Sequence, residues 1–165
     1  VISMAKVTFR NKQRTGNMGL FYTCYRLSRM GWNVLPTIRN AKSIDIVGYN
    51  ENGDKTIKIQ CKGSSNEQSI GPFKDKNDII ADFFIIINNV YEEPTAYILT
   101  KKDVIDNLTH NKDGYWIEKK DYLKKDEFKE RWDKIGYGFS DFKESEKIQE
   151  IDKKLKEKCT EKHKN

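Results

Sequence analysis

The sequence predicts an α/β sandwich, and three observations point to it. A helix-periodic run near the N-terminus precedes two alternating runs joined by Asn52-Gly53. Two apolar, β-branched runs follow, and the chain ends in charged helical segments. That order, helix then sheet then helices, stacks into layers around one core. A length of 165 residues suits one domain. Charged residues make up 34% and mean hydropathy is −0.83, but 12% aromatics set the chain apart from a disordered one.

Taken in order, Thr15–Met30 reads as a helix, with Leu20, Phe21, Cys24, Tyr25 and Leu27 at helical spacing and Gly31 as its stop. Tyr22 and Tyr25 are expected to face the core. A strand, Trp32–Leu35, ends at Pro36. Ser43–Glu51 and Asp54–Lys62 alternate with period 2 around Asn-Gly, the strongest short hairpin signal. Gly63–Asn77 reads as a loop. Asp82–Val90 and Thr95–Leu99 are strands, with Asp82 a structural cap or turn acceptor. Thr100 caps a helix to about Leu108, with Asp103 in its first turn. Tyr115–Ile117 is a short strand, Lys125–Ile135 a short amphipathic helix closed by Gly136, and Ser140–Lys162 a charged helix. Residues 1–138 then form one domain and 139–165 a helical extension, solvated or self-associating through Ile148, Ile151 and Leu155. Trp32, Trp116 and Trp132 are expected in the core or at its rim.

Turn length fixes hairpin register. A two-residue Asn52-Gly53 turn sets Glu51 opposite Asp54, Val47 opposite Lys58, Asp45 opposite Gln60 and Ser43 opposite Lys62. The other face pairs Gly48 with Ile57, Ile46 with Ile59 and Ile44 with Cys61, and belongs on the core. Asp45, Gln60 and Lys62 then converge within cross-strand distance. A carboxylate and an amide oxygen suit a hard cation such as Mg²⁺ (or Mn²⁺), with the Cys61 carbonyl as a third oxygen. Such an ion lowers the pKa of bound water and neutralises a phosphate oxygen, while Lys62 orients the water or holds the phosphate. The plain alternative is a solvated hairpin face.

Lys6, Arg10, Lys12, Arg14, Arg26, Arg29, Arg39 and Lys42 precede the first acidic residue, Asp45. The first 44 residues therefore carry +8 and, with a net charge of +6, the remainder carries −2. A basic lobe of this kind suits a polyanion, nucleic acid above all. Phe83–Ile87 is too short to span a bilayer, no signal-peptide pattern is visible, and Cys24, Cys61 and Cys159 form no CxxC pair. The expectation is a reduced, cytoplasmic protein. His110 and His163 lack zinc-ligand spacing with a cysteine.

Asp45 in Ser43-Ile44-Asp45-Ile46-Val47, followed by Ile59-Gln60-Cys61-Lys62, resembles the PD-(D/E)XK nuclease superfamily. Thr15-Gly16-Asn17-Met18-Gly19 and Arg29-Met30-Gly31-Trp32-Asn33-Val34 are similar to that superfamily's opening helix and first strand. The resemblance spans roughly Thr15–Leu99. It implies a restriction-endonuclease-like α/β/α sandwich: a helix, a three-strand meander carrying Asp…(Glu/Gln)-x-Lys, a crossover helix and a further strand, around a mixed sheet. It also implies Asp45 and Gln60 as metal ligands, Lys62 as the catalytic lysine, and DNA as substrate. Gln60 stands where Glu is commoner, a variant of some branches that include methyl-directed restriction proteins and certain homing endonucleases. Gly19-Leu20 stands where many active members carry Gly-Glu, and this helix holds no acid.

The leading expectation is a Mg²⁺-dependent DNA endonuclease using Asp45, Gln60 and Lys62. DNA contacts are expected from Arg10, Lys12, Arg14, Asn17, Arg39, Lys42 and Ser64, and a double-strand cutter of this size is expected to form a homodimer. The missing helix acid supports a second expectation, a nuclease-fold module that binds DNA without cutting it. A third is an unrelated α/β interaction domain.

Overall fold

Asn11 accepts the Arg14 N–H through its side chain and starts the first helix, α1 (Lys12–Arg29), three residues ahead of the expected Thr15. This computed structural model describes residues 11–38 and 42–162, without the side chains of 156 and 158–162. Residues Thr15, Gly19, Thr23 and Leu27, four apart, form the buried side of α1. Leu20 packs against the same core, but Phe21 and Tyr25 are exposed, which corrects their expected place there.

Five strands form the main sheet in the order β1 (Asn33–Pro36), β2 (Ile46–Tyr49), β3 (Thr56–Gly63), β5 (Phe83–Asn88) and β6 (Thr95–Thr100), with only the β3–β5 pair parallel. β2 and β3 pair as expected: Ile46 with Ile59, Val47 with Lys58, Gly48 with Ile57. The turn itself is wider than two residues. Asn50 N–H donates to Lys55 O and Gly53 N–H to Asn50 O, so Glu51–Asp54 make the turn and Gly53 supplies its positive φ of 72°. Both turns have the same centre, so the register survives the correction.

Two cores flank this sheet. Ile57, Ile59, Ile85, Ile87 and Ile98 join Leu27, Met30, Trp32 and Trp132 on the α1 side. Phe84, Ile86, Tyr97 and Leu99 face the other way. They pack there with a three-stranded sheet of β4 (Ile70–Phe73), β8 (Gly114–Ile117) and β7 (Leu108–Asn111), and with α2 (Lys101–Asp106) and α3 (Lys119–Leu123). Each isoleucine buried in these cores contributes about 1.5–3 kcal/mol. The architecture is thus a mixed α/β sandwich. The expected loop 63–77 instead holds β4, and a 3₁₀ turn at Lys76–Asp78 stands where the resemblance implied a crossover helix.

The expected helix Lys125–Ile135 does not form. Glu130 takes φ 53°, its N–H donates to Ala96 O, and Ile98 N–H donates to Phe128 O. The segment thus covers the outer edge of β6, and only a 3₁₀ turn, Trp132–Lys134, follows. The last helix, α4 (Phe142–Lys162), is tied to α1 where Asp152 meets Arg29 at 3.0 Å and Arg26 at 3.8 Å. Trp32 and Trp132 are buried, as expected; Asp82 accepts the Lys58 N–H, a structural role.

Thr100 and Asp103 form the expected capping box at α2, and Lys134 also donates to Asp103. Burial alone would raise the Asp103 carboxyl, but hydrogen bonds from Lys134 and Thr100 outweigh it and hold it below its ordinary 3.8. A depressed carboxyl stabilises the fold above its unfolded value. This contribution is therefore complete at neutral pH and lost as pH falls below about 4. Thr100→Ala is expected to cost about 1 kcal/mol in a urea melt at pH 7.

Candidate active site

The site begins where α1 meets β3. A Cβ on Gly19 would lie 2.5 Å from Gly63 Cα, and one on Gly63 would lie 2.6 Å from Thr15 O. Two backbones touch here because neither residue has a side chain. The contact sets the opening of α1 beside the strand end Gln60-Cys61-Lys62.

Along β3, Ile57, Ile59 and Cys61 face α1, while Gln60 and Lys62 face the other side, level with Phe84 and Ile86 of β5. The expected pairing of Asp45 with Gln60 and Ser43 with Lys62 stops short. Ser43 takes φ 58°, β2 starts only at Ile46, and the Asp45 N–H donates to Ile59 O. The Asp45 carboxylate instead closes the gap that β2 leaves, with Oδ2 accepting the Cys61 N–H at 2.8 Å. Its other oxygen, Oδ1, accepts no hydrogen bond from a described residue. A strand residue turns its N–H and C=O to the same edge, so the Cys61 carbonyl faces that gap too. Burial first, and the Asp45 charge second, push the Cys61 thiol far up, so it packs rather than reacts.

Gln60, Cys61 and Lys62 line a groove of about 290 Å³ together with Phe84, β4 and Lys74 just after it, and Lys42, Ser43 and Asp78. Lys62 is exposed and Gln60 half-buried. Lys42 and Asp78 form an ion pair of 2.6 Å. The hydrogen bond from Lys42 holds the Asp78 carboxyl below the usual range and raises the Lys42 ammonium. Phe73, Lys74, Asp78 and Phe84 are lining residues that sequence reasoning missed. The dense charges of Lys74–Asp78 were the one visible hint.

The remaining expected contacts separate. Lys12 and Arg14 are exposed and Asn17 half-buried in the opening turns of α1, where Arg14 and Asn17 line a second hollow of about 280 Å³. Arg10 and Arg39 lie outside the described residues. Ser64 is corrected: it is 1% exposed and accepts from Gln68 Nε2 at 2.8 Å, a packing role rather than a surface one. Arg26 and Arg29 of the basic lobe are engaged by Asp152, and Arg26 also by the Trp132 ring at 4.8 Å. Among the described residues no group of three His, Cys, Asp or Glu side chains is placed to hold a metal. Nor is any helix among them long and apolar enough to cross a membrane.

No protein-family model and no curated protein sequence matches the chain. Among solved structures, the bacterial homing endonuclease I-Ssp6803I is similar, with a TM-score of 0.54 and 20% identity, covering 76% of this chain and 93% of that one. The likeness is one of fold.

Proposed function

We propose that this chain is a metal-dependent DNA endonuclease of the PD-(D/E)XK type. The observation that carries the reading is the junction of β2 and β3. Lys62 and Gln60 line one groove, and the residue between them is held by Asp45 through its N–H. A fold similar to that of a homing endonuclease supports it. The chemistry of the donor set fits Mg²⁺ or Mn²⁺: Asp45 Oδ1, the Gln60 amide oxygen and the Cys61 carbonyl are all hard oxygens. When bound there, the ion supplies a more acidic water and charge neutralisation at phosphate. Asp45 and Gln60 fix its place. Lys62, exposed in the groove, holds a non-bridging phosphate oxygen and orients the attacking water. Lys12 and Arg14 track the backbone, as does Lys42 once phosphate displaces Asp78.

With one carboxylate, the site needs substrate phosphate to complete the ligand set, so cation affinity rises when DNA is bound. Cutting both strands takes two copies of the chain.

The test is cleavage of labelled linear, nicked and branched DNA with Mg²⁺, Mn²⁺ or EDTA. Cutting is expected only with metal, and Lys62→Met is expected to lose at least about 100-fold in rate while melting like the parent. Salt-sensitive binding without cutting under any condition would favour the non-cutting DNA module, which the acid-free α1 also fits.

A further inference from the structure

Among the described residues lining the groove of Gln60 and Lys62, one carries a carboxylate, and it is not Asp45. It is Asp78, the last residue of the 3₁₀ turn Lys76–Asp78. Other acids of this segment serve the backbone. Asp75 accepts the Asn77 N–H and caps the turn, and Asp82 accepts the Lys58 N–H.

Topology explains how Asp78 reaches the groove. In the main sheet β3 lies between β2 and β5. Lys42 precedes β2 and Asp78 precedes β5, so the two come from strands on opposite sides of β3. Two strand spacings, about 10 Å, separate those flanking strands. The Lys42 ammonium and the Asp78 carboxylate nevertheless meet at 2.6 Å. Both line the groove with Gln60 and Lys62, so the pair passes over β3 on the face that carries those side chains. Ile79, next in the chain, packs with Phe84 on that face, and Phe84 is level with Gln60. Asp78 thus approaches from the β5 side, while Asp45 holds Cys61 from the β2 side.

The ion pair is also suited to exchange. The Lys42 side chain is 75% exposed, and an exposed pair contributes little to stability. A phosphodiester entering the groove competes for the same ammonium. Once Lys42 turns to phosphate, Asp78 is a hard oxygen ligand on the Gln60 face.

We propose that Asp78 is a second carboxylate of the cation site, paired with Lys42 at rest and released to the metal when substrate phosphate draws Lys42 away. This inference rests on the nuclease reading above, and it supplies an acid that α1 lacks. Charge balances in both states. At rest Lys42 and Asp78 neutralise each other; with substrate, Lys42 neutralises phosphate while Asp45 and Asp78 together match a divalent ion. Phosphate binds first and the cation second.

The experiment titrates Mn²⁺ into the full chain, alone and with a saturating random-sequence duplex, and reads free Mn²⁺ by electron paramagnetic resonance. Binding by the duplex alone is subtracted, and every protein carries Lys62→Met so that the duplex stays intact. The reference protein is expected to bind Mn²⁺ at least about tenfold tighter with duplex than without. Adding Asp78→Asn is expected to remove most of that gain, about tenfold, and to change binding without duplex less than about twofold. Asp78→Glu, which keeps a carboxylate, is expected to retain the gain. Adding Lys42→Met frees Asp78 and is expected to tighten Mn²⁺ binding without duplex about two- to fivefold. A full gain in the Asp78→Asn protein overturns the role of Asp78 and leaves the nuclease reading standing. So does Lys42→Met binding no tighter than the reference without duplex, or Asp78→Glu failing as Asp78→Asn does. A reference protein whose Mn²⁺ affinity the duplex does not raise overturns both.

Discussion

Asp45→Asn is expected to abolish cleavage while leaving the fold nearly intact, and Asp45→Ala is expected to lose both. The asparagine amide still offers an oxygen to the Cys61 N–H, so the strand end keeps its partner. What disappears, on the proposed reading, is the Asp45 carboxylate offered to the cation. An amide oxygen carries no charge to replace it, so the rate is expected to fall at least about 100-fold. Alanine removes the acceptor as well and leaves a half-buried N–H unpaired, at a cost of about 1–3 kcal/mol. The pair is read by cleavage rate and urea midpoint together. If Asn and Ala lost activity and stability in the same proportion, Asp45 would be a structural residue and the metal reading would fail.

The second large effect concerns packing. Gly63→Ala is expected to cost about 3 kcal/mol or more, and Gly19→Ala slightly less. In each case the new methyl meets backbone, which has no rotamer to escape into, so helix and strand must part. At Gly19 the better helix propensity of alanine returns about 1 kcal/mol. A thermal melt checks the stability, and Gly16→Ala is the control because nothing lies within 4 Å of its Cβ position. That control is expected to be neutral or slightly stabilising. Equal melts for all three would mean that the close approach is not a constraint.

The fold was legible where a local rule decided it. Thr100 with Asp103 spelled out a cap, and alternation around Asn-Gly gave the pairing of Ile46 with Ile59 even though the turn is wider than two residues. What sequence could not carry was long-range. Lys125–Ile135 has helical periodicity, yet the free edge of β6 claimed its backbone and Glu130 turned left-handed. The short strands β4 and β7, four residues each, are too brief to show a period against their polar surroundings. At the candidate site, spacing and resemblance singled out Asp45, Gln60 and Lys62, and the last two line one groove. Their geometry was not legible, because Ser43 ends the ladder before Asp45 can pair with Gln60. The basic lobe was visible as a count, but Arg26 and Arg29 are spent on a helix more than a hundred residues away in sequence.

The glycine-to-glycine contact has a metrical consequence. With backbone pressed on backbone, α1 and β3 cannot slide against each other, so the spacing between Arg14 on the first helix and Lys62 on the strand is fixed. On the proposed activity, the phosphate gripped by one and the phosphate attacked at the other stand a set number of nucleotides apart. The cut would fall at a constant offset from the grip whatever sequence lies between.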